Sequence, residues 1–231
     1  MNTLTVIVPF YNEINFLDKS VNRLLDNNIF SKILLVDDNS HDGSSEIGKK
    51  LDFENKNIHY IKTPQNGGKG NAIKYAQSFI QTSHVVIHDA DLEYFPKDIV
   101  EMFEISKNNP NALILGSRFI GSKKRINKYS RTLLANKFLS LFFSLVFQKR
   151  ITDVATCYKL IPTKYFSSIE FEQDGFAIEI EILAKYLKFS KKSNIHEVPI
   201  DYEARTYAEG KKIKTVDGIL YLYTTLKYRF F

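Results

Sequence analysis

The chain has one cysteine among its 231 residues, Cys157. An internal disulfide is therefore excluded, and a reducing compartment fits. Alone, Cys157 reads as a small buried hydrophobe rather than a nucleophile. Long hydrophobic runs are also missing. No stretch reaches the roughly 18 apolar residues of a spanning helix, so none is expected. The start, Met1-Asn2-Thr3-Leu4, has no basic n-region, so no signal peptide is expected. A cytoplasmic protein, at most peripheral to the cytoplasmic face of a membrane, is the expectation. No repeat or low-complexity linker interrupts the chain, and 44% hydrophobic with 25% charged residues argues against disorder. No nucleic-acid motif is recognisable, which ranks a non-enzymatic nucleic-acid-binding module last.

The charge that is present is unevenly placed. Residues 1–120 carry 12 Lys/Arg against 15 Asp/Glu, whereas residues 121–231 carry 20 against 11. The second half should face something anionic: nucleic acid, a membrane surface or a phosphorylated substrate.

Apolar, β-branched runs at Leu4–Val8, Ile33–Val36, Ile58–Ile61 and His84–Ile87 alternate with stretches of helical spacing. Further strands are expected at Ala112–Leu115, Cys157–Ile161 and Ile195–Ile200, and helices near Lys97–Lys107 and Phe176–Leu187. This alternation predicts an α/β fold with an open, mostly parallel central sheet flanked by helices. Such sheets bind ligands beyond the carboxyl ends of their strands. Polar loops fall at those ends: Pro9 to Glu13, Asp37 to Gly43, and Gly67-Gly68-Lys69-Gly70. The last does not have P-loop spacing. Its glycines either cradle a phosphate, with Lys69 as a contact, or only permit a tight turn.

The fourth strand runs into His88-Asp89-Ala90-Asp91-Leu92-Glu93. In extended chain, residues two apart point the same way, so Asp89, Asp91 and Glu93 are expected to converge. Three carboxylates suit Mg²⁺ or Mn²⁺ carrying substrate phosphates, and the alternative is a solvated acidic turn. Beyond Gly116-Ser117-Arg118 the character changes. Lys123, Lys124, Arg125, Lys128 and Arg131 precede an apolar, aromatic stretch, residues 133–147. It is too short to span a bilayer, and basic ends with a broad apolar surface predict an in-plane, amphipathic interfacial helix. The aromatic segment 216–231 reads as a second interfacial element, a tail beyond a domain covering 1–215.

Together these motifs resemble family 2 glycosyltransferases of the GT-A fold, and most closely the polyprenyl-phosphate glycosyltransferases, which include dolichol-phosphate mannose synthases. The resemblance covers about residues 4–215. It rests on Val8-Pro9-Phe10-Tyr11-Asn12-Glu13, Val36-Asp37-Asp38-Asn39-Ser40-His41-Asp42-Gly43, Gly68-Lys69-Gly70-Asn71-Ala72, Asp89-Ala90-Asp91-Leu92-Glu93, Gly116-Ser117-Arg118 and Arg205 to Gly210. The resemblance implies a sugar moved from a nucleotide-diphosphate donor (GDP-mannose or UDP-glucose type) to a polyprenyl phosphate, with inversion, at an anionic membrane surface. It implies that Pro9, Tyr11, Glu13, Asp38, Lys69, Asp89, Ala90, Arg205 and Lys212 bind the donor. Asp89 and Asp91 match the family's metal motif, with Glu93 in a position often occupied by Gln. Arg118 and Arg131 match arginines that hold the acceptor phosphate, and with Asp91 form the implied catalytic set. Where a small hydroxyl residue often follows the second arginine, this chain has Ala135. The same catalytic fold acting on a glycan hydroxyl is the alternative. That chemistry needs a general base, for which Asp153 is the candidate.

Overall fold

The computed structural model describes residues 2–126, 129–189, 194–206 and 215–231. Strands β1 (Leu4–Phe10), β2 (Lys32–Asp37), β3 (Ile58–Lys62), β4 (His84–Ile87), β5 (Leu113–Ser117), β7 (Lys159–Pro162) and β8 (Ile195–Pro199) form one seven-stranded sheet in the order β3-β2-β1-β4-β7-β5-β8. Pairing is parallel along β3-β2-β1-β4 and between β5 and β8, while β7 runs antiparallel to both β4 and β5. Short strands β6 (Arg125–Ile126) and β9 (Tyr202–Glu203) pair separately as a parallel ribbon. Two-residue strands carry no periodicity, so the sequence offers no signal for this ribbon.

Alternate residues of each strand feed opposite faces. Leu4, Val6 and Val8 of β1 enter a core with Leu17, Val21 and Leu24 of α1 (Leu17–Leu25), Leu51 of α2 (Ser44–Glu54) and Met102 of α4 (Lys97–Asn108). Ile7 enters a second core with Ile73 of α3 (Lys69–Ala76), Phe143 of α5 (Ser130–Phe147), Phe166 of α6 (Thr163–Phe166) and Leu183 of α7 (Ile178–Phe189). Both faces are therefore covered, as a mainly parallel sheet requires.

Helix α5 turns only Leu139, Ser140 and Phe143 fully inward. Leu134, Phe138, Leu141 and Leu145 remain exposed. The segment read as a tail forms most of α8 (Thr215–Phe230), which packs against α5 and α7. Its Tyr221 and Tyr228, two turns apart, are buried in the second core, while Val216, Ile219, Tyr223, Leu226 and Phe230 are exposed. No described helix is long and apolar enough to cross a membrane.

Candidate functional site

The strand order reverses about β1 and β4, the usual place for a ligand crevice. There the loops after β1, β2, β3 and β4 border a cavity of 260 Å³. Pro9, Tyr11, Glu13, Asp38, Lys69, Asp89, Ala90, Asp91, Glu93, Arg118 and Arg205 all line it. Arg131 does not: it lies on the exposed face of α5, whose Thr132 and Asn136 reach the cavity instead. Lys212 and Lys128 fall outside the described residues.

The acidic stretch departs from the extended geometry expected of it. Strand β4 stops at Ile87, and Leu92 adopts φ +63°. A left-handed conformation costs a leucine roughly 1–2 kcal/mol, and it breaks the alternation that would have aligned three carboxylates. Asp91 faces Arg205, with Nη2 of Arg205 at 3.1 Å from its Oδ2. Glu93 turns to the β6–β9 side: its Oε2 accepts from the Tyr202 hydroxyl at 2.7 Å and its Oε1 from the Arg205 amide at 2.7 Å. With both oxygens engaged, Glu93 fastens the Arg205 backbone. Among the described residues, no group of three or more His, Cys, Asp or Glu is arranged to hold a metal ion. The three carboxylates therefore do not converge as an extended backbone predicts, and Glu93 is engaged apart from the pair Asp89 and Asp91.

Each member of that pair faces a cation. Lys69 Nζ sits 2.6 Å from Asp89 Oδ1 and 2.8 Å from Glu179 Oε1. Glu179 also pairs at 2.5 Å with the fully buried Lys159 of β7. Burial opposes both charges of the Lys69–Asp89 pair, yet their attraction prevails, raising the Lys69 pKa and lowering that of Asp89. Asp91 is different. Burial first, then the charges of Glu93 and Asp89, push its pKa up to about 8 despite Arg205. A cation beside Asp91 would favour its ionised form. Two carboxylates plus ligand phosphates are also what Mg²⁺ ordinarily uses, so the residues present fit a divalent cation.

The glycine loop is explained mainly by packing. A Cβ on Gly70 would lie 2.0 Å from the Gln173 carbonyl oxygen, and Gly68 sits at φ +95°. Asp38, expected at the nucleotide, holds this loop in place. Its carboxylate accepts from the amides of Gly67 and Gly68, the latter at 2.6 Å, and from the Asn71 side chain. His88, just before the acidic pair, is buried between Ser20 and Tyr158, and burial drives its pKa down to about 4. It is a neutral spacer at physiological pH.

On the opposite wall, Arg118 is clamped by Asp153. Nε and Nη2 donate at 2.7 and 2.8 Å, and the Arg118 amide donates to the same carboxylate. The guanidinium lies 4.9 Å from the Tyr202 ring centroid and 6.0 Å from that of Tyr94. Asp153 is fully buried with both oxygens engaged, so it orients Arg118 rather than offering a general base.

Glu179, Thr132 and Asn136 were not assigned from the sequence. A signal existed: Glu179 is an acid within an otherwise Ile-, Leu- and Ala-rich helix, and Thr132 and Asn136 sit one helical turn apart. The profile describing glycosyl transferase family 2 matches residues 5–171. The chain belongs to that family. It is a glycosyltransferase, and its sheet and helices are those of the GT-A fold. It is 26% identical over 219 residues to an undecaprenyl-phosphate mannosyltransferase of Micrococcus luteus, covering 91% of this chain and 87% of that one. It is 27% identical over 232 residues to a dolichol-phosphate mannosyltransferase of Pyrococcus furiosus, covering 97% of this chain and 64% of the relative. Among solved structures, glucosyl-3-phosphoglycerate synthase of Mycobacterium tuberculosis with Mn²⁺, UDP-glucose and phosphoglyceric acid aligns at a TM-score of 0.75, with 14% identity, over 99% of this chain and 80% of that one. This last likeness is one of fold.

Proposed function

We propose that this glycosyltransferase moves a sugar from a nucleotide-diphosphate donor to a polyprenyl phosphate, at a membrane surface and with inversion at the anomeric carbon. One observation carries the choice of acceptor. The carboxylates lining the cavity are already engaged: Glu13 and Asp91 with Arg205, Asp89 and Glu179 with Lys69, Asp38 with the glycine loop, and Glu93 with Tyr202. Among the described residues, none is held ready to take a proton from a sugar hydroxyl. A phosphate monoester is largely ionised near neutral pH and needs no strong base, only cations to hold it, which Arg118 supplies. The polyprenyl-phosphate substrates named for the two relatives agree with this reading.

In the reaction, a phosphate oxygen attacks the anomeric carbon and forms the new C–O bond. The bond to the nucleotide diphosphate breaks, and its electron pair leaves with the diphosphate. Asp89 and Asp91 would hold a divalent cation, Mg²⁺ or Mn²⁺, which neutralises negative charge on the leaving diphosphate. Arg205, whose amide donates to Glu93, would add a second positive charge there. The exposed apolar residues of α5 and α8, with Arg131, Lys137 and Arg229 on the same helices, support docking at an anionic bilayer. The test is a donor screen. GDP-mannose, UDP-glucose and UDP-N-acetylglucosamine are each offered with Mg²⁺ or Mn²⁺ and a short polyprenyl phosphate, or a glycan acceptor. Sugar should appear on the lipid phosphate with inverted configuration. Transfer only to glycan hydroxyls would sink the proposal.

A further inference from the structure

Arg118 is oriented by Asp153, and Asp153 belongs to a loop between α5 and β7 rather than to a strand or a helix. Such a loop holds a buried carboxylate in one place only if its own backbone is fixed, and buried amides need partners in any case. The amides around Asp153 find theirs on side chains. The Ile151 amide donates to the Ser144 hydroxyl at 3.0 Å, and the Val154 amide donates to the Ser140 hydroxyl at 3.1 Å. The Thr152 amide donates to Glu197 of β8 at 2.8 Å. Two of these three anchors stand on α5.

Ser140 and Ser144 are the only polar residues from Phe138 to Phe147. With Thr132 and Asn136 they recur every four residues, which places all four on one side of the helix. Thr132 and Asn136 line the cavity, and the two serines continue the row beyond it. A serine inside a helix commonly returns its proton to the carbonyl four residues back. Both do so here, Ser140 to Asn136 at 2.9 Å and Ser144 to Ser140 at 2.7 Å. Their oxygens are then left to accept the two loop amides. Alanine at either position would leave the helix intact but strand a loop amide, Ile151 and Val154 both being buried. The other side of α5 exposes Leu134, Phe138, Leu141 and Leu145. One helix therefore carries the exposed apolar face and, on its inner side, the mount of Arg118.

We infer that Ser140 and Ser144 are positioning residues for the transfer: they fix the Asp153 loop to α5 and, through it, the guanidinium of Arg118. The effect on the reaction rests on the phosphate-monoester reading of the acceptor, whereas the tie between α5 and Arg118 does not.

Two measurements on the intact protein separate these. Hydrogen exchange at the Arg118 Nε–H and at the amides of Ile151 and Val154, followed by NMR, reports the tie with no substrate present. In Ser140→Ala/Ser144→Ala these protons should exchange at least about tenfold faster, while the amides of β1 and β2 keep their rates. Ser144→Thr, which retains the hydroxyl, should stay within about twofold of wild type. Ser106→Ala should do the same, since that buried serine bonds within α4 alone. An unchanged Arg118 signal, or exchange that quickens equally throughout the chain, would overturn the inference. The second measurement is kinetic, with the donor that the screen identifies and geranyl phosphate as acceptor. The double variant should raise the KM for geranyl phosphate by at least about fivefold and leave the donor KM within about twofold. On an Arg118→Lys background, where the bidentate geometry is already lost, the same two substitutions should add less than about twofold. Fully additive effects would show that the serines do not act through Arg118. If wild type transfers nothing to geranyl phosphate, the acceptor reading fails, and the exchange rates still decide the tie.

Discussion

The two walls of the cavity handle charge in opposite ways. On the wall built from β1, β2 and β4, the charges are paired inside the fold. Asp89 meets Lys69, Lys69 meets Glu179, and Glu179 meets Lys159, alternating signs from the cavity to the centre of the sheet. On the wall built from β6 and the start of α5, Arg118 is paired with Asp153, whereas Arg125 and Lys137 have no carboxylate partner among the described residues. The first arrangement holds the acids in place by cations of the fold itself. The second leaves room for a ligand to bring the missing negative charge. A buried pair repays its desolvation only with good geometry on both sides, whereas half-exposed cations keep part of their hydration while they wait.

The contrast can be broken experimentally, and the largest effect is expected on the acidic wall. Asp91→Ala should lower kcat by at least about a hundred- to thousandfold and abolish Mn²⁺-dependent nucleotide binding; a variant with full activity and metal-dependent binding would remove the metal role. Asp153→Ala comes next. It strips a buried arginine of its one carboxylate among the described residues and should cost about 3–5 kcal/mol, seen as a fall in Tm of roughly 10 °C. The KM for lipid phosphate should rise more than the KM for the donor. Equal rises would show that Asp153 supports the whole cavity rather than Arg118. Leu141→Glu on the exposed face of α5 should reduce flotation with anionic liposomes by roughly tenfold, since burying a leucine stabilises by about 1.5–3 kcal/mol. Transfer to a short acceptor in solution should not change; unaltered flotation would argue against α5 as the docking face. The smallest effect is expected at Lys123, whose charge is already matched. Lys123→Ala should leave geranyl phosphate binding within about twofold, and a larger loss would mean that the basic run acts as one diffuse field.

The acidic wall was largely legible from sequence because its parts are local motifs. A loop after a strand, a pair of aspartates and a glycine cluster each sit within a few residues, and the parallel sheet brings them to one edge. Two details were not legible. Glu93 was read through an extended backbone, and one left-handed residue, Leu92 at φ +63°, invalidates that reading. The sequence leaves the glycines of residues 67–70 open between a phosphate cradle and a tight turn, and it does not show that a Cβ on Gly70 would meet the Gln173 carbonyl, more than a hundred residues away in the chain. The basic wall was less legible still. Lys123, Arg125 and Arg131 are alike in sequence, and only the fold sets the first beside Asp98, the second beside the Arg118 carbonyl and the third on the exposed face of α5.

What the sequence determined by itself is the alternation of strand and helix, the edge at which a ligand sits, the family and the acidic pair, because these follow from periodicity and from chemistry carried by neighbouring residues. The tertiary structure decided the antiparallel insertion of β7 between β4 and β5, which brings Lys159 beneath Glu179. It also decided which partner each of Asp89, Asp91 and Glu93 meets, and which cations around Phe119 lack a carboxylate among the described residues. Each depends on groups brought together from distant parts of the chain, and whether a charge is neutralised is a property of what packs against it.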